Sequence, residues 1–153
     1  MKTGDTHRRV QRGLSLVELV VVIMIVGVLA AVAIPSYRNY VIRSQRSDAK
    51  DALLALATQL EKHYLQCNDY GDTLGVAPNC AGRVVQGADA SENGWYALTI
   101  VAPDATGFTV TATAVAGENQ AQDLDCASFS VTDRGVRSAL NDGGDDNTAE
   151  CWR

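Results

Sequence analysis

Four cysteines, one glutamate inside an apolar run and a group of aspartates near the C-terminus are the residues of this 153-residue chain whose types and spacing could do chemistry. Cys67, Cys80, Cys126 and Cys151 show no Cys-x-x-Cys spacing, so their even number points to disulfides rather than to zinc or thiol exchange. It also points to an oxidising compartment. Four cysteines allow three connectivities. Cys67–Cys80 with Cys126–Cys151 is favoured, because each pair brackets one polar, glycine-rich loop; in a chain-entropy account the two closures contribute about 3 and about 3.5 kcal/mol. The acidic run Asn141-Asp-Gly-Gly-Asp-Asp-Asn147 could hold calcium, but it lacks EF-hand spacing and reads better as a solvated turn. His63 has no second ligand at zincin spacing and His7 stands near the N-terminus, so neither is read as a metal ligand. No nucleophile–base set, phosphate loop or catalytic carboxylate pair can be argued locally. Neither an enzyme nor a cofactor is expected.

Glu18 is the unusual residue. From Leu14 to Ile34 the chain is apolar except for Ser15 and Glu18, and a helix of that length covers about 30 Å, the hydrocarbon thickness of a bilayer. A carboxylate at the entrance of such a span is costly and marks function. Basic residues precede the run (Lys2, Arg8, Arg9, Arg12), but Arg38, Arg43 and Arg46 follow it, so charge bias alone orients it weakly. A plain signal anchor or a secretory signal peptide ending at Ala31-Val32-Ala33 would also fit these residues.

Gly13-Leu14, with Glu18 as the fifth residue after the glycine, the apolar run and its ending Ile34-Pro35-Ser36-Tyr37, resembles the processing site of type IV prepilins. The resemblance is strongest over residues 8–66. It implies the type IV pilin fold, an α+β fold with a long bent N-terminal helix packed on a small antiparallel β-meander. It implies cleavage by a prepilin peptidase after Gly13, methylation of the new N-terminus at Leu14, and pairing of Glu18 with the amine of a neighbouring subunit. The helix breakers Gly27 and Pro35 would let the helix bend or extend during packing. Arg43-Ser-Gln-Arg-Ser-Asp-Ala-Lys-Asp-Ala-Leu-Leu54, Glu61-Lys-His-Tyr64 and the ending Cys151-Trp-Arg153 are most similar to PilE-like minor pilins. A structural subunit serving pilus biogenesis, adhesion, twitching motility or DNA uptake is therefore implied. A major pilin, a type II secretion pseudopilin or, remotely, a membrane-anchored periplasmic binding module are the alternatives. The implied partners are other pilins, the peptidase, the inner-membrane assembly machinery and the inner membrane before assembly, with the final location an extracellular pilus.

The elements that would position these residues follow from periodicity. Residues 1–13 form a charged leader, 14–35 the apolar helix and 36–66 an amphipathic continuation. Tyr37, Tyr40, Val41, Ala49, Ala52, Leu53, Leu56, Leu60 and Tyr64 recur there at helical spacing. Arg38, Arg43 and Arg46 fall on the other faces, solvated or facing neighbouring acidic subunits. Residues 67–94 read as a disulfide-stapled connecting loop, and 95–153 as a sheet with a C-terminal disulfide loop. Within the sheet, 95–101, 108–115, 128–132 and 136–139 are predicted strands, with turns at 103–107 and 133–135. The leader carries Lys2, Arg8, Arg9, Arg12 and Asp5, so its removal moves the net charge from −5 to −8. From that acidity no direct nucleic-acid contact is expected.

Overall fold

A computed structural model of the chain describes residues 15–153. Gly13 and Leu14, like the whole leader, lie outside the described residues. The chain falls into two compact units divided between Arg38 and Asn39.

Helix α1 spans Leu16–Cys67 and stays helical through Gly27 and Pro35. In the N-terminal unit its side chains are almost wholly exposed, from Leu16 (78%) to Ile34 (60%) and Tyr37 (69%). A Cβ placed at Gly27 would meet nothing within 4 Å, so no contact among the described residues requires the glycine.

In the second unit, the α1 residues Ala49, Leu53, Leu56 and Leu60 form one buried stripe. Their i, i+4, i+7, i+11 spacing places them on a single helix face. That face packs against the sheet of β3 (Tyr96–Asp104), β4 (Gly107–Ala114), β5 (Ser128–Thr132) and β6 (Arg137–Leu140). The four strands form an antiparallel meander in the order β3-β4-β5-β6. Alternation puts Phe108, Val110 and Ala112 of β4 inward, with Val110 opposite Val131 and Ala112 opposite Phe129. The β5–β6 turn needs a left-handed residue, and Gly135 (φ 73°) supplies it while its N–H donates to the Thr132 carbonyl. The strands begin and end within about three residues of the expected bounds.

The connecting region holds more order than expected. β1 (Thr73–Gly75) and β2 (Val84–Gln86) pair in parallel, between the cysteines and just beyond. Arg83 organises this strap: its guanidinium meets Asp69, Asp72 and the Tyr70 and Ala102 carbonyls. A 3₁₀ turn at Asn119–Gln122 and a one-turn helix α2 (Thr148–Cys151) complete the unit.

Cys67 is bonded to Cys80 (Cα–Cα 5.2 Å) and Cys126 to Cys151 (Cα–Cα 5.8 Å). The first bond anchors the strap to the end of α1. The second ties α2 to the residues leading into β5, and both Cys126 and Cys151 belong to the core.

Candidate assembly helix and nucleic-acid interface

The apolar part of α1, Leu16–Ile34, is 19 residues long, about 28 Å of helix. Its mean hydropathy reaches 3.0 over an 18-residue window, none of it buried, so it is long and apolar enough to cross a membrane. Glu18 lies in the first turn, where the helix dipole favours an anion. It is the only charged residue between Leu16 and Tyr37. Pro35 leaves the carbonyl four residues earlier without its helical donor, a local weak point in an otherwise regular segment.

A second constellation forms in the other unit, around Trp152. The Lys50 ammonium lies 5.8 Å and the Arg137 guanidinium 5.1 Å from its ring centre, distances at which a cation is drawn to the ring face. Lys50 also donates to the Arg153 carbonyl at 3.0 Å. The Trp152 indole N–H donates to Ser138 of β6 at 2.9 Å, which fixes the ring. Phe129 packs edge-on behind it. Partial burial holds the Lys50 pKa below the ordinary lysine value, and the positive charges of Arg46 and Arg137 push it the same way. An acidic chain thus sets Lys50 and Arg137 on one aromatic ring, with Arg153 beside it in sequence and its guanidinium 3.2 Å from the Glu150 carboxylate. Sequence reasoning missed this site because its parts come from α1, β6 and the C-terminus. The only signal was the ending Cys-Trp-Arg.

Arg46 departs from its expected role. It is neither solvated nor offered to a neighbour, but buried and paired with Asp123. Nε donates to Oδ2 at 2.7 Å and Nη2 to Oδ1 at 2.8 Å. Burial alone would lower the Arg46 pKa; the bond to and charge of Asp123 outweigh it, and the net shift is upward. Gln120 donates to Asp123 and to the Ile42 carbonyl, closing the network. Burial and the nearby Asp123 charge raise the pKa of Tyr96 in the same region. Arg43 remains exposed. Tyr37 and Tyr40 also depart from the expected buried stripe, at 69% and 70% exposure, whereas Ile42, just past them, is buried.

Two family models match the chain. One, the prokaryotic N-terminal methylation motif, covers residues 8–34. The other is described as the type IV minor pilin ComP, DNA uptake sequence receptor, and covers residues 35–130. Among curated relatives, the fimbrial protein EcpC of Eikenella corrodens is 36% identical over 107 residues, 69% of this chain and 64% of its own. The type IV major pilin PilA of Myxococcus xanthus is 39% identical over 75 residues, 47% of this chain and 34% of its own. The chain thus spans less than two thirds of the length of these relatives. A type IV pilin from Shewanella oneidensis aligns in structure with 21% identity and a TM-score of 0.42, over 63% of this chain and 89% of that one. The description of the second family runs against the expectation of no nucleic-acid contact. The physical reason is that net charge is a sum, while a polyanion meets a local field, and here two cations share one ring. With a methylation motif at its start and a ComP-type domain over more than half its length, the chain belongs to the type IV minor pilins, a structural and non-enzymatic family.

Proposed function

We propose that this minor pilin serves DNA uptake, and that the cluster Lys50, Arg137, Trp152 and Arg153 is where it meets DNA. The observation that carries the reading is the placing of two cations, Lys50 and Arg137, on one fixed aromatic ring in an otherwise acidic domain. Lys50 lies within the span matched by the ComP family, whereas Arg137, Trp152 and Arg153 lie beyond it. Such a cluster contacts phosphates and releases counterions, so affinity falls with salt by about 0.9 log units per log unit for each phosphate neutralised. The full chain in detergent micelles, titrated with a fluorescent duplex at several salt concentrations, should show a slope of about −2 to −3. Arg137→Ala with Arg153→Ala should weaken binding and flatten the slope by about 2. An unchanged slope in that variant would place the DNA elsewhere.

Assembly follows the prepilin route. Cleavage after Gly13 frees the Leu14 amine, which is methylated, and Glu18 of one subunit pairs with the amine of the next. Two charges placed in an apolar surrounding gain most from each other, and either one left alone is costly. Before assembly the chain sits in the inner membrane with its globular unit in the periplasm, and afterwards in an extracellular pilus. Glu18→Ala should still be cleaved, with its mature mass intact, yet disappear from sheared pili. Normal incorporation of that variant would overturn the pairing.

A further inference from the structure

A groove of about 610 Å³ runs between α1 and the segment leading into β3, all within the second unit. Asp48, Asp51 and Glu92 line it, and among the described residues no lysine or arginine does. Ala55 and Leu56 supply an apolar wall, and Trp95 a half-buried aromatic one. Among the described residues no three acidic, histidine or cysteine side chains are placed to hold one metal ion. The charge is spread along the groove, which suits an elongated cation rather than a compact one.

Asp48 gives the groove its second feature. The residue is only 9% exposed; Oδ1 accepts from the Asn93 amide at 2.9 Å, and Oδ2 has no hydrogen-bond partner among the described residues. A carboxylate oxygen shielded from water without a donor is costly. Carboxylate χ2 wells are broad, so a modest rotation can turn either oxygen toward a donor entering the groove. A long basic side chain satisfies every wall at once, its methylenes along Leu56, its head between Asp48 and Asp51 and its charge near the Trp95 ring.

We infer that this groove is a socket for an arginine or lysine side chain carried on an extended segment of a neighbouring filament subunit. The groove is larger than one side chain, so flanking backbone enters with it, and the family already supplies an assembly of packed pilins.

The test has two arms. First, the full chain in detergent is titrated with the peptide acetyl-Ala-Arg-Ala-amide while the indole N–H resonances of Trp95 and Trp152 are followed. The Trp95 signal should move saturably, the citrulline counterpart should leave it in place, and Asp51→Asn with Glu92→Gln should weaken binding at least tenfold. Both substituted groups are exposed, so the fold survives the change; an equal response to citrulline, or none to arginine, overturns the socket. Second, p-benzoylphenylalanine at Ala55 is photo-crosslinked in pilus-bearing cells. Products should map to a pilin segment containing Lys or Arg and vanish with the two substitutions. Peptide binding without a pilin crosslink would mean a small diffusible cation is the occupant and would overturn the subunit contact. Immunoblots of sheared pili report incorporation independently, so failure of the socket and failure of the minor-pilin reading remain distinguishable.

Discussion

Arg46 shows what one residue contributes when its partner lies 77 positions away. The guanidinium is bidentate to Asp123, and the two side chains are 7% and 3% exposed. Breaking such a pair from one side leaves a buried charge without compensation, a loss of about 3–5 kcal/mol. Urea denaturation of Arg46→Ala should show a loss of that order, and Arg46→Met with Asp123→Leu should recover much of it. If the single variant unfolds at the wild-type midpoint, the pair is not a stabilising unit. Helical spacing located Ala49, Leu53, Leu56 and Leu60 correctly, because apolar periodicity is local information. It misplaced Arg46, because what buries that side chain is the turn around Gln120–Asp123, which has no periodicity of its own. Asp48 and His63 were hidden for the same reason: both are buried polar groups on a helix whose polar positions read as solvent.

At the level of elements, the strands of the meander were legible because alternation and turn residues coincide, as in Phe108–Ala114 and Asp133–Gly135. The parallel pair β1–β2 was not, since three-residue strands carry too little pattern to read and their order depends on Arg83 reaching across the strap. The C-terminal turn is held by similar short-range bonds. The Thr148 hydroxyl and backbone N–H donate to Asp146, lowering its pKa. A carboxylate with a depressed folded pKa stabilises its turn above the ordinary value of about 3.9 and ceases to do so as pH falls through the lower folded one. The Thr148 amide resonance should therefore hold its position down to about pH 4 and shift only below it. A shift centred above that value would remove the bond from the account. Replacing Cys126 and Cys151 by serine should cost about 3–4 kcal/mol in chemical denaturation. It should also raise the Trp152 accessibility to quenchers, since α2 would lose its covalent tether. Equal quenching in both proteins would mean the packing of α2 needs no bond.

Across the whole molecule the two units divide the labour cleanly. Among the described residues every buried apolar side chain lies at Ile42 or beyond, and the exposed apolar run lies before Arg38. A chain begun at Asn39 should therefore dissolve without detergent and unfold within about 0.5 kcal/mol of the full chain. A much larger loss would mean the N-terminal unit supports the fold. The division was readable from hydropathy alone, whereas the assembly role came from the resemblance of Gly13-Leu14 and Glu18 to a prepilin processing site. The cluster on Trp152 proposed to meet DNA was not readable, because its members meet only after the sheet has formed.

Cys151 stands two residues from the end of the chain and is covalently bound to Cys126, at the entrance to β5. Consider a tug on the Trp152 edge, such as the proposed DNA contact would transmit. Peptide linkage alone would pass the load to α2 and then β6, the edge strand, which could be peeled away one ladder bond at a time. The sulfur bridge gives the force a shorter route into β5, an interior strand flanked on both sides, where ladder bonds would have to shear together rather than unzip in turn.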